Sequence, residues 1–153
     1  MGVALYIQGY EKKEEAISGE IKILGWYEVK TDEIEKYKID NSFTVIHNEL
    51  NSIKHAIEQF WNYGFDDPGE LTFSYNIMNN MSGGGYRNEN GISYGLMFDG
   101  ERILSIVDKV LSSIEHMPLN PSEKEEEKGN LMEMQKVLKV ITEKNGIVGI
   151  MLG

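Results

Sequence analysis

Apolar residues recur along the chain in two rhythms, and the switches between them predict its elements. The longest helical rhythm runs from Asn41 to Gly64. There Ile46, Leu50, Ile53, Ile57 and Phe60 step by four, three, four and three, and Phe43, Ala56 and Trp61 widen the stripe. Asn41 or Ser42 is placed to cap its first turn, and Gly64 to end it. A second helix is predicted over Glu101 to His116, launched by Asp99-Gly100, with Ile103, Val107, Val110, Ile114 and Met117 inward. A third stripe comprises Leu131, Met134, Val137, Leu138 and Ile141 and runs to a C-cap signal at Asn145-Gly146. Ser122 is the candidate cap of the acidic run before it, and Gly129-Asn130 the candidate interruption.

The other rhythm alternates. Val3 to Gln8 is short, apolar and β-prone. Ile17 to Lys30 alternates as a second strand, with a bulge or close crossing at Gly25, and is expected to pair with the first across the charged turn Gly9 to Glu15. Thr31 to Ile39 reads either as one or two helical turns capped by Thr31, with Ile34 and Tyr37 packing, or as a polar strand. Glu70 to Met78 and Ile92 to Phe98 form a predicted hairpin around the long link Asn79 to Gly91. Ile147 to Leu152 is apolar throughout, the pattern of a strand covered on both faces or exchanged with a second copy. The order predicts a single α+β domain over residues 1–153. Its mainly antiparallel sheet has about five strands, with three helices packed on one face. The 41–64 helix and the third helix are the expected core-forming pair.

Composition narrows the function classes. At 41% hydrophobic and 26% charged residues the chain is ordinary for a globular domain. It has no apolar run long enough to span a membrane and no secretory leader pattern at its start. Cysteine is absent, which excludes disulfides and thiolate chemistry and suits a cytoplasmic protein. The formal net charge of −10 disfavours nucleic acid and anionic lipid and favours a basic protein partner.

Candidate chemistry is sparse. Gly83-Gly84-Gly85 is followed by Tyr86-Arg87-Asn88 and a strand, where a phosphate cradle needs a helix and a Lys-Ser/Thr pair. Arg87 is one of two arginines and adjoins Tyr86. These are residue types that dominate interface hot spots, so Tyr86, Arg87, Asn88 and Glu89 read as a contact loop. Asp66 and Asp67 read as turn residues and as further partner-facing carboxylates. His47 and His55 lie more than two helical turns apart, and the segment from His47 to Leu50 lacks the HExxH pattern, so neither metal nor cofactor is expected.

The expected function is a non-catalytic acidic binding module, of the inhibitor or immunity kind, docking on a more basic effector. One alternative is a nucleotide or metabolite binder, or an enzyme, with a pocket between the sheet and the 41–64 helix closed by the 79–91 loop. Another is a homo-oligomer joined through Ile147–Leu152 or the face bearing Leu24 and Trp26.

Overall fold

The computed structural model describes residues 4–21, 25–47, 86–87 and 89–152. In chain order the elements are β1 (Leu5–Tyr10), β2 (Ile17–Ile21), β3 (Trp26–Lys30), α1 (Thr31–Ile34, continuing as a 3-10 turn over Glu35–Tyr37) and β4 (Lys38–Ile46). There follow β5 (Tyr86–Arg87), β6 (Ser93–Asp99), α2 (Gly100–Ser113, extended by a 3-10 turn over Ile114–His116), α3 (Pro121–Glu143) and β7 (Ile147–Leu152). All described pairings are antiparallel. The strand order is β2-β3-β6-β7-β1-β4, with β5 paired to β6. The described residues therefore form an α+β fold with an antiparallel sheet and three helices.

Each face of the sheet carries its own core. On one face Leu5, Ile7, Ile46, Phe98, Val148 and Ile150 pack against the buried stripes of α2 and α3. These stripes are Ile103, Ile106, Val107 and Val110 on α2, and Leu131, Met134, Leu138 and Ile141 on α3, as the helical spacing predicts. On the other face Tyr10, Tyr27, Val29, Met97 and Ile147 pack against Ala16 and Ile34. The two long helices thus share one face, and the single turn α1 lies on the other. β7 runs between β6 and β1 and sends Ile147 to one core and Val148 to the other. Its unbroken apolar character follows from that central position.

Four expectations are corrected. Residues 41–46 are the end of strand β4, not the first turns of a helix, and neither Asn41 nor Ser42 is a cap. Thr44, Val45 and Ile46 are β-branched, which favours a strand, and they pair in register with Ile7, Tyr6 and Leu5. Between the pairs Gln8–Phe43 and Tyr10–Lys38 the ladder breaks into a bulge, with Asn41 at φ 60°. The buried Ser42 hydroxyl accepts the Gly9 N–H at 3.2 Å and donates to the Ile39 carbonyl. The rest of the proposed helix, from Asn48 to Gly64, and the proposed strand Glu70–Met78 lie outside the described residues.

The second correction is that β1 pairs with β4 and β7, not with β2. The stretch from Ile17 to Lys30 folds back on itself as the hairpin β2–β3, with Gly25 at φ +66° in the link and its carbonyl accepting the Asp99 N–H at 2.8 Å. Third, α1 starts from Lys30 without a side-chain cap, so Thr31 does not cap it. Ile34 is buried as expected, and the chain continues into β4 rather than into a longer helix. Fourth, the cap of α3 is Asn120, whose Oδ1 accepts the Glu123 N–H at 2.8 Å. With Pro121 at the first helical position, the start lies two residues before Ser122. The helix then runs unbroken through Gly129-Asn130.

Among the described residues the core-forming helix pair is α2 with α3. Gln135 Nε2 donates to Asp108 Oδ1 at 2.7 Å across their outer seam. The C-terminus of α3 closes as anticipated at Asn145-Gly146. The Gly146 N–H bonds the Ile141 carbonyl at 2.9 Å, and the Asn145 N–H bonds that of Thr142 at 2.9 Å, with Asn145 left-handed at φ 51°.

Ile141 sits where three glycines meet. A Cβ on Gly9 would fall inside its side chain, one on Gly100 would approach Ile141 Cγ2 to 2.7 Å, and one on Gly146 to 3.1 Å. Gly129, by contrast, stands mid-helix with nothing near its missing Cβ. Gly9→Ala is therefore expected to lower the unfolding free energy by about 1–3 kcal/mol through overpacking. Gly129→Ala is expected to raise it by about 0.5–1 kcal/mol through helix propensity. Urea denaturation of both variants checks the opposite signs.

Candidate functional site

β6 and β7 pair at Phe98–Val148 and Asp99–Ile147. Beyond those pairs a cleft of about 370 Å³ opens. Gly95, Leu96 and Met97 line one wall, and Gly149 and Ile150 the other. Tyr6, Gln8 and Tyr10 from β1 and Phe43 and Lys38 from β4 extend it across the sheet, and Thr31, Ile34 and Glu35 of the α1 segment form its lip. The position follows from strand alternation. Leu5 and Ile7 point to the long helices, so Tyr6, Gln8 and Tyr10 point to the opposite face. There Gln8 lies opposite Phe43, and Tyr6 opposite Val45.

Small residues let the cleft reach the sheet. A Cβ on Gly149 would stand 3.2 Å from Met97 Cε and 3.3 Å from Tyr10 Cε2, so a larger residue there would crowd the wall. The aromatic groups remain available to a ligand: Phe43 is 56% exposed and Tyr6 38%. Gln8 Nε2 is held by the Ser42 hydroxyl and the Gly9 carbonyl, each at 2.9 Å.

The lip is acidic. Segments 11–15 and 31–37 carry Glu11, Glu14, Glu15, Asp32, Glu33 and Glu35 against Lys12, Lys13 and Lys36. They lie together, since the Glu11 N–H bonds the Tyr37 carbonyl at 2.8 Å and the Tyr37 hydroxyl donates to Glu15 at 2.6 Å. That second bond holds the Glu15 carboxyl below its ordinary pKa and raises that of Tyr37. The lysines have partners within the chain. Lys12 lies 4.5 Å from the Tyr27 ring centroid, Lys13 5.8 Å from that of Tyr37, and Lys36 pairs with Glu33 at 3.2 Å. At the cleft mouth Lys38 pairs with Glu35 at 2.9 Å, and Glu35 also accepts the Tyr10 hydroxyl at 3.2 Å. Burial of Tyr10, reinforced by the Glu35 charge and this hydrogen bond, pushes the phenol well above its ordinary pKa.

The sequence-derived contact residues lie near this cleft in part. Tyr86 and Arg87 form the two-residue strand β5, opposite Tyr94 and Ser93 of β6, so their backbone belongs to a ladder instead of a free loop tip. Thr31 Oγ1 donates to the Ser93 carbonyl at 3.4 Å, which ties the cleft lip to the residue facing Arg87. Glu89 is exposed in the turn before β6. Asn88, Asp66 and Asp67 lie outside the described residues, as does the 79–85 part of the proposed closing loop. His47 and His116 are exposed, and the described residues contain no group of three or more potential metal ligands. The cleft lies on the face opposite α2 and α3; the pocket expected beside the 41–64 helix falls largely on residues outside those described.

Tyr6, Gln8, Tyr10, Glu35 and Phe43 were not singled out from sequence. The available signal was Tyr6-x-Gln8-x-Tyr10, three large amphipathic side chains on one side of a pleat. Comparison of the chain with protein-family models, with curated proteins and with solved structures finds no match.

The Tyr10–Glu35 bond has a pH signature. Because the folded-state pKa of Tyr10 is raised, its contribution is complete below the unfolded value of about 10 and is lost as pH rises above it. Tyr10→Phe is expected to cost about 1 kcal/mol at neutral pH. The gap between wild type and variant should narrow above about pH 10, as read by chemical denaturation across pH 7–11.

Proposed function

We propose that this protein is a binding module that docks on a more basic protein, in the manner of a small inhibitor or immunity protein. The observation that carries this reading is the cleft on the α1 side of the sheet. It combines exposed aromatic surface at Phe43 and Tyr6 with the Glu35 carboxylate at its lip, next to segments 11–15 and 31–37 in which carboxylates outnumber lysines. Apolar rings supply the contact area that is desolvated on binding, and the surrounding negative charge steers and selects a basic partner. The overall charge of −10 acts in the same direction over longer range. No described helix is long and apolar enough to cross a membrane, which is compatible with the cytoplasmic setting we propose.

A second reading is favoured by the cleft's dimensions. About 370 Å³ falls within the range of small-ligand pockets. A metabolite would sit among Tyr6, Tyr10, Phe43 and Met97, with Gln8 and Glu35 as its polar contacts.

Affinity capture from the native source decides between them. The first reading expects a stoichiometric basic protein whose association weakens steeply between about 50 and 200 mM salt, the range over which charge–charge steering is screened. Absence of any such partner, together with strong thermal stabilisation by a metabolite, would replace it with the second.

A further inference from the structure

The cleft also indicates what the partner presents. Resting on the reading that the protein docks on a basic protein, we propose that the cleft seats a single arginine side chain of that partner, its guanidinium meeting Glu35 and its stem lying along Phe43 and Tyr6. Three features carry this. The first is size: about 370 Å³ is open between the walls formed by Gly95–Met97 and Gly149–Ile150, enough for one long side chain and its flanking backbone. The second is the lining. Exposed Phe43 and Tyr6 and the buried ring of Tyr10 offer faces that attract a cation as well as its alkyl stem.

The third is the state of Glu35. Its carboxylate is oriented by the Tyr10 hydroxyl and is otherwise held by Lys38, in a pair whose members are 52% and 55% exposed. Exposed pairs of this kind contribute little, so an incoming cation can displace Lys38. Lys38 thus occupies the mouth as an internal surrogate for the partner's charge. Arginine fits better than lysine, because its planar and weakly hydrated guanidinium stacks on rings while it bonds a carboxylate. An anionic group would meet the carboxylates of the lip.

The test is a titration of the full-length, isotope-labelled protein with the capped tripeptide acetyl-Gly-Arg-Gly-amide and its citrulline counterpart, which has the same shape without the charge. The arginine peptide should shift the amides of Tyr6, Gln8, Gly95 and Gly149, and the citrulline peptide should bind about tenfold more weakly. Phe43→Ala and Glu35→Gln change exposed side chains, and each should weaken the arginine peptide about two- to fivefold. Lys38→Ala should strengthen it, an effect that general loss of structure would not produce. Equal binding of the two peptides, shifts outside the cleft, or weakening by Lys38→Ala would overturn the proposal. Capture of a basic partner whose affinity is unmoved by Glu35→Gln and Phe43→Ala would overturn the arginine seat alone. Failure to capture a basic partner while the arginine peptide still binds the cleft would count against the docking reading and support the seat's chemistry.

Discussion

The structure depends on one close fit, the Ile141 side chain lodged among Gly9, Gly100 and Gly146. Those glycines belong to three separate parts of the chain: strand β1, the first residue of α2, and the link from α3 into β7. Each lacks the one carbon that would hold Ile141 away. The Gly100 N–H bonds the Gly146 carbonyl at 3.1 Å, so the backbone around the socket is joined as well as packed. Through this contact the C-terminal turn of α3 is set against the sheet and against α2 at once. The cleft on the reverse face depends on it indirectly, since Tyr10 follows Gly9 and Gly149 lies three residues beyond Gly146.

The two faces of the sheet divide the work. The helix face is built mainly from aliphatic residues, and on α2 and α3 their spacing specifies their place. Among the described residues, the reverse face is covered in part. Ala16, Ile34 and Tyr37 close it near Tyr27, Val29 and Ile147, while Tyr6, Gln8 and Phe43 remain accessible beside them. Polar groups are satisfied locally there, by Glu35 on Tyr10 and Glu15 on Tyr37. That arrangement leaves a stable floor beneath a surface free to meet another molecule.

What the sequence revealed follows from the range of the forces involved. The stripes of α2 and α3 and the apolar run of β7 were legible because each is a local pattern with a single solution. The extent of β4 was not, because the alternating segment Ser42 to Ile46 runs directly into residues with helical spacing, and Ile46 satisfies both rhythms. The β2–β3 hairpin was hidden because Gly25 has the same composition signal in a bulge and in a tight link. Pro121 could have identified Asn120 as the cap, since a proline favours the first position inside a helix. The cleft was the least legible feature. Tyr6, Glu35, Phe43 and Gly149 are far apart in the chain, and only strand order brings them together. Phe43 in particular fits a buried helical stripe by its spacing, whereas its place in β4 turns it outward.

The central position of β7 has a consequence for biosynthesis. β1 and β6 flank it, yet both precede it by many residues, so neither has its shared neighbour when it leaves the ribosome. The nascent chain must hold two partial sheets, β1 with β4 and β3 with β6, until residues 147–152 emerge and join them. Closure by so distant a segment slows folding and exposes strand edges meanwhile.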